Sequence, residues 1–301
     1  MRSRVYLKLI ALALIPFMLF GLAYGLRQKN KGFSIHKISC PLNYEQDWDV
    51  DPLRLEDKQV VRQILSQKFK YLAQGAQSYI FESQDKKYVL KFFKMRNLLP
   101  NLWLNYLPLP ESLEDYRFRK VDQRILRRYE TFTSYRLAFE ELQKESGLLY
   151  VHLNPTREFR KKVLLIDDKD KEHKIELDRI PFAIQKRAEL FFVRLAKIKE
   201  RGDHAEMRDA VRSLLNLVAQ RCKKGFADKN KVIVGNYGFV GETAIQIDIG
   251  EIVFDELLKD PSNVQREVLR ISKKLEYWIM HRAPEFTQDV QDEVKYFFDH
   301  S

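Results

Sequence analysis

Asp228-Lys-Asn-Lys-Val-Ile-Val-Gly-Asn236, then Gly241-Glu-Thr243, then Ala244-Ile-Gln-Ile-Asp-Ile-Gly250 is the stretch on which the reading of this chain turns. Ala244 to Ile247 is apolar enough for a short buried strand, and Gly241-Glu-Thr243 supplies a tight turn before it. The strand runs into Asp248-Ile249-Gly250, which sets a carboxylate at its end. Asn236 precedes that carboxylate by 12 positions. A magnesium ion takes oxygen ligands, commonly one or two carboxylates completed by phosphate and water. Asp228 lies eight residues before Asn236.

Working outward toward the N-terminus, the chain reads Tyr71-Leu-Ala-Gln-Gly75-Ala-Gln-Ser78-Tyr-Ile80-Phe81, a turn at Ser83 to Lys86, and Val89-Leu-Lys91-Phe-Phe93. Small residues at a hairpin tip let backbone N–H groups approach phosphates. A lysine on the next strand can then meet the same phosphates.

The two segments together, in this order and about 150 residues apart, resemble the phosphate-binding hairpin and metal loop of protein-kinase-like enzymes. In that family the hairpin reads G-x-G-x-x-G-x-V and a lysine follows on the third strand. Here Gly75 stands alone, Ala73 and Ser78 take the places of the first and third glycines, Ile80 matches the valine, and Lys91 follows Val89-Leu90. The resemblance implies an α+β, bilobal kinase-like fold: a β-rich N-lobe with one long helix over residues 56–187, and a compact helical C-lobe over 188–301. It implies ATP and magnesium as cofactors. Nucleotide contacts would come from Gly75, Ser78, Lys91, a helix glutamate and the hinge residues Gln185 and Lys186. Glu130 is the preferred glutamate, with Glu140 and Glu141 as alternatives. Asn236 and Asp248 would hold metal, and Asp228 would act on the acceptor.

The chain also departs from the family. The base normally lies five residues before the asparagine, where Lys231 stands, and Gly225-Phe-Ala precedes Asp228 in place of H-R. No A-P-E follows Gly250, and about 50 residues remain. In size the chain is nearer to small-molecule and lipopolysaccharide-core kinases. Two readings follow, an active phosphotransferase with unknown acceptor and a kinase-like binding protein without transfer activity, a pseudokinase. A third is an unrelated anchored or exported α+β domain whose basic surface meets anionic lipid.

Elsewhere the pattern agrees with a β-rich half preceding a helical half. Val60, Val61, Ile64 and Leu65 mark a short amphipathic helix. Tyr129, Phe132, Tyr135, Phe139 and Leu142 recur at spacings of three and four, predicting one long helix from about Asp115 to Glu145. Val163 to Ile166 and Lys174 to Leu177 form a hairpin around Asp167 to Asp170, and Phe182 to Ile184 is a further strand. Helices are expected over Glu189 to Lys199 and Asp203 to Lys223, and two more between Pro261 and Phe298, split at Pro284.

With 301 residues, 45% of them hydrophobic, the chain can build one large domain or two lobes. The net charge of +11 comes from Lys and Arg scattered among acids rather than gathered in a tract, which points away from nucleic acid. Cys40 and Cys222 are too isolated for zinc or a disulfide framework. At the N-terminus, Arg2, Arg4 and Lys8 precede an uncharged run from Leu9 to Leu26, about the minimum length for a membrane span. The expectation is a single-pass anchor over residues 1–26 with a linker over 27–55 and the domain on the cytoplasmic, nucleotide-bearing side. A cleaved signal segment with export is the alternative, since Arg27, Lys29 and Lys31 balance the charges upstream.

Overall fold

The structure is a computed structural model that describes residues 32–39, 43–100, 110–159, 162–230 and 232–300. The N-terminal hydrophobic segment, residues 101–109 within the Pro-rich stretch and Lys231 lie outside the described residues.

The N-terminal half is organised by a seven-stranded sheet. Its strands are β1 (Lys68–Gln74), β2 (Ser78–Ser83), β3 (Tyr88–Phe93), β4 (Leu148–His152), β5 (Lys162–Ile166), β6 (Glu172–Glu176) and β7 (Phe182–Lys186), in the order β4-β7-β3-β2-β1-β5-β6. All neighbours are antiparallel except β1 and β5. The sequence of β3, Tyr-Val-Leu-Lys-Phe-Phe, explains its central place: from Val89 to Phe93 every residue is buried, as a strand covered on both faces requires. Lys91 is the one ionic group in that run.

One face of the sheet is covered by the C-terminal part of a long helix. A short helix, α1 (Leu55–Ile64), precedes the sheet, and the long helix is α2 (Glu111–Glu141). Phe132, Tyr135, Ala138 and Phe139 are buried. Phe132 lies 4.9 Å edge-on to Trp48, and Tyr135 meets Phe93 at 4.7 Å. The stripe stops sooner than its spacing predicts, because Tyr129 is exposed together with Ile125, Leu126 and Phe118. The expected linker also behaves differently. Phe33, Ile38 and Trp48 are buried in this core, and Phe33 packs edge-on against Tyr79 and Phe81. Their apolar side chains follow no period, so sequence spacing could not reveal the packing.

A two-residue strand, β8 (Glu189–Leu190), leads into the helical half: α3 (Phe191–Arg201), α4 (His204–Lys223), α5 (Pro261–Arg282) and α6 (Thr287–His300). Gly202 ends α3 in the left-handed conformation, and the Asp203 carboxylate caps α4 by accepting from Glu206 N at 2.9 Å. Asp260 caps α5 just before Pro261. Leu214, Val218, Ile271, Leu275, Phe286 and Val290 belong to a second core.

Between the halves lie small sheet elements. Strand β9 (Phe226–Asp228) pairs with β12 (Ile252–Phe254), and β10 (Tyr237–Val240) pairs with both β11 (Thr243–Gln246) and β8. Gly241, at φ +61, makes the β10–β11 turn in a conformation that other residues adopt only with strain. Phe226, Ile249 and Ile252 reach into the first core. The architecture is mixed, with a large sheet followed by helices, and is compatible with a kinase-like bilobal fold. Among the described residues no helix is long and apolar enough to cross a membrane.

Candidate active site

The β10–β11 hairpin brings the two ends of the deciding stretch together. At its base the Asn236 carbonyl accepts from Ile247 N at 2.6 Å and from Asp248 N at 3.4 Å. Asn236 and Asp248 thus become neighbours because the strands between them pair. The Asp248 carboxylate faces back along its own turn, where Oδ1 accepts from Gly250 N at 3.4 Å.

Asp228 reaches the same place from β9, whose pairing sets it opposite Ile252. Gln246 joins the two acids: its Nε2 donates to Asp228 Oδ2 at 2.9 Å and to the Asp248 carbonyl at 3.1 Å. The Gln246 Oε1 in turn accepts from Arg221 Nη1 at 2.6 Å. Arg221, fully buried on α4, also donates to Tyr237 OH and to the Phe226 carbonyl, both at 3.2 Å, and stands 3.9 Å from Asp228 Oδ2. An arginine seven positions upstream therefore supports Asp228, although the residues just before Asp228 carry none. Burial pushes the Asp228 carboxyl up to about 6, with Asp248 adding to the rise and Arg221 and the Asn230 amide opposing it.

Lys91 enters from β3. Its Nζ donates to the Ile247 carbonyl at 2.7 Å, one residue from Asp248. Burial lowers the ammonium to about 8, while the nearby Asp248 charge works the other way. Tyr135 from α2 closes this side. Its phenol is raised by burial and then by Asp248.

The helix glutamates lie elsewhere. Glu130 meets Lys229 at 3.4 Å and Glu140 meets Arg136 at 4.0 Å. Glu141 is exposed, and only its backbone carbonyl accepts from Lys224 Nζ. Glu130 does not pair with Lys91, because α2 turns other groups toward the loop. Ser134 Oγ donates to the Ile249 carbonyl and accepts from Ile252 N at 2.7 Å.

Of the hinge residues, Gln185 is fully buried and turned inward. Its Nε2 donates to the carbonyls of Ser146 at 2.6 Å and of Gln246 and Ile247 at 3.3 Å, and its Oε1 has no partner. It ties β7 to the Asp248 loop. Lys186 carries an exposed side chain, and its backbone N–H donates to the Gly147 carbonyl at 2.9 Å. At the hairpin tip, Gly75 N donates to the Ser78 carbonyl at 2.9 Å. A Cβ on Gly75 would lie 3.8 Å from Ser78 Oγ, an ordinary contact, so the turn does not require glycine there.

Among the described residues there is no group of three or more His, Cys, Asp or Glu side chains arranged for a metal ion. Asn236 and Asp248 form a smaller donor set, the kind that suits magnesium carried in largely by phosphate and water. Asn236 is buried, and among the described residues its Nδ2 has no hydrogen-bond partner; a metal would take its Oδ1 instead.

The sequence pattern does not reveal Arg221, Gln246 or Ser134 as members of the site, nor that Gln185, expected at the hinge, turns inward as a clamp. Gln246 lies inside the deciding stretch, two residues before Asp248. No local signal marks Arg221 or Ser134.

No protein-family model matches the chain, and no curated protein matches it. Among solved structures, that of WbdD with the kinase inhibitor LY294002 is similar at a TM-score of 0.32 and 16% identity, covering 75% of this chain and 45% of that one. The chain thus corresponds to under half of that protein's length. A likeness of this size does not decide the fold.

Proposed function

We propose that the protein is an ATP- and magnesium-dependent phosphotransferase of kinase-like architecture, held at a membrane by residues 1–26. The observation that carries this reading is the convergence of Lys91, Asp228, Asn236 and Asp248 on one knot, joined by Gln246 and the Ile247 carbonyl. Lys91 supplies the positive charge for phosphate oxygens. Asn236 and Asp248 would hold a magnesium ion, which would neutralise charge on the phosphates. Asp228 is mostly ionised at neutral pH, with a pKa near 6, and accepts the proton of the acceptor hydroxyl. As the acceptor oxygen bonds to the terminal phosphorus, the bond from that phosphorus to the bridging oxygen breaks and ADP leaves.

The catalytically inactive, nucleotide-binding or scaffold alternative has its own support. Lys91 and Gln185 direct their donors to carbonyls of the Asp248 loop, and Glu130 and Glu140 pair with Lys229 and Arg136.

The test is thermal stabilisation by ATP with and without magnesium, alongside release of the terminal phosphate. A magnesium-dependent rise that disappears in Lys91→Ala and Asp248→Ala supports the cleft. Equal nucleotide affinity in wild type and both variants overturns it. Binding without any transfer to acceptor or water favours the inactive reading.

A further inference from the structure

Gly250 is crowded by a residue from the opposite half of the molecule. A Cβ placed on it would lie 2.0 Å from Gln77 Oε1, 2.8 Å from its Cδ and 3.1 Å from its Nε2. Gly250 is not among the left-handed residues, so its backbone conformation does not demand glycine. The space a Cβ would need is filled by the Gln77 amide, the end of a flexible side chain, so a side chain at 250 would displace that amide from the turn.

Gln77 sits at the tip of the β1–β2 hairpin, where Lys94 holds the backbone. Its carbonyl accepts from Lys94 N at 2.8 Å, and Lys94 Nζ donates to the Gly75 carbonyl at 2.6 Å. Thr131 Oγ1 on α2 approaches its Oε1 at 3.5 Å. One side chain therefore links the hairpin, the long helix and the turn that follows Asp248. Gln77, Thr131 and Gly250 also line a cavity of about 260 Å³ with Arg127, Glu130 and Lys229. The hairpin carries Ala73 and Ser78 where a glycine-rich loop would have bare backbone, and it meets the metal loop through a side-chain amide instead.

We infer that Gln77 is a positioning residue, a latch that fixes the hairpin over the Asp248–Gly250 turn and so sets the affinity for a magnesium-bound nucleoside triphosphate. The nucleotide part of this inference rests on the function proposed above; the contact itself does not. Fixed over the turn, the hairpin keeps its backbone N–H groups aimed at the phosphates. A carboxylate in place of the amide would repel the anionic ligand.

The experiment uses the full chain and five proteins: wild type, Gln77→Ala, Gln77→Glu, Gly250→Ala and the Gln77→Ala/Gly250→Ala double variant. Urea unfolding and equilibrium binding of ATP with magnesium are measured on each. The latch predicts that Gly250→Ala lowers the urea midpoint while Gln77 is present and has little effect once Gln77 is alanine. It predicts about tenfold weaker nucleotide binding in Gln77→Ala, the scale of one lost hydrogen bond. It predicts still weaker binding in Gln77→Glu, a change that a purely packing role would not produce. Additive stability effects overturn the latch. Coupled stability with binding within twofold of wild type in both Gln77 variants overturns the positioning role. A wild-type chain that binds no nucleotide overturns the proposed function and the positioning role together, and is distinct from the case in which wild type and variants bind alike.

Discussion

Lys91 Nζ donates to the carbonyl of Ile247 at 2.7 Å, across 156 positions of sequence. The bond joins the central strand of the large sheet to the residue just before Asp248. It places a buried ammonium near a carboxylate while fixing the charge on a backbone acceptor, and among the described residues the one hydrogen bond to the Asp248 carboxylate is the 3.4 Å contact from Gly250 N.

That arrangement has a pH signature. Lys91 falls from its ordinary 10.5 to about 8 because burial disfavours its charge. Below about pH 8 the folded protein bears the cost of an ionised buried lysine. Between 8 and 10.5 the unfolded chain binds more protons than the folded one, so this contribution to stability rises with pH. Urea unfolding of wild type and Lys91→Met across that range should show wild type gaining relative to the variant, by up to about 3 kcal/mol. Parallel pH profiles would contradict it.

Asp228 shifts the opposite way in consequence. Its carboxyl is raised from 3.8 to about 6 by burial. Its contribution to stability is fully present below about pH 3.8 and is lost as pH rises through 6. Relative to Asp228→Asn, wild type should lose up to about 3 kcal/mol over that window. If Asp228 takes the acceptor proton, transfer should rise with pH around an inflection near 6, and Asp228→Asn should retain nucleotide binding while losing transfer. Full transfer activity in that variant would remove Asp228 from the reaction.

Arg221 is buried, and its Nε and Nη1 together serve Phe226, Tyr237 and Gln246. Arg221→Met leaves Asp228 buried without its nearest positive charge and should cost about 3–5 kcal/mol. Arg221→Lys should not restore the loss, since one ammonium cannot reproduce the planar fork. Gln246→Leu removes one donor to Asp228 and should cost about 1–3 kcal/mol. Chemical denaturation measures all three, and a loss under about 1 kcal/mol in Arg221→Met would show the network to be dispensable.

The segment before α1 separates two properties. A chain starting at residue 27 should be released from membranes that retain the full chain, if residues 1–26 form the anchor. Mass spectrometry of the full chain in cells would reveal a shortened N-terminus if that segment is instead a cleaved signal. A chain starting at residue 45 should in addition be less stable than one starting at residue 32, because it loses buried Phe33 and Ile38. Phe33→Ala alone should cost about 3–5 kcal/mol, and an unchanged urea midpoint would argue against that packing.

Much of the local structure was legible from the chain alone. Alternation and turn residues marked the strands around Gly75 and Lys91. Apolar spacing placed α2, α4 and α5, and the Asp248-Ile249-Gly250 turn was evident after its strand. These patterns depend on neighbours within a few residues, where backbone geometry ties sequence to structure. What the tertiary structure alone decided is which distant groups meet. It brings Gln246 between Asp228 and Asp248, Arg221 to Asp228, Gln185 onto the Ile247 carbonyl and Gln77 onto Gly250, while directing Glu130 to Lys229. Such meetings follow from how the sheet, α2 and the helical half dock. A single sequence carries no periodic trace of docking, because the contacts form between residues that share no local geometry.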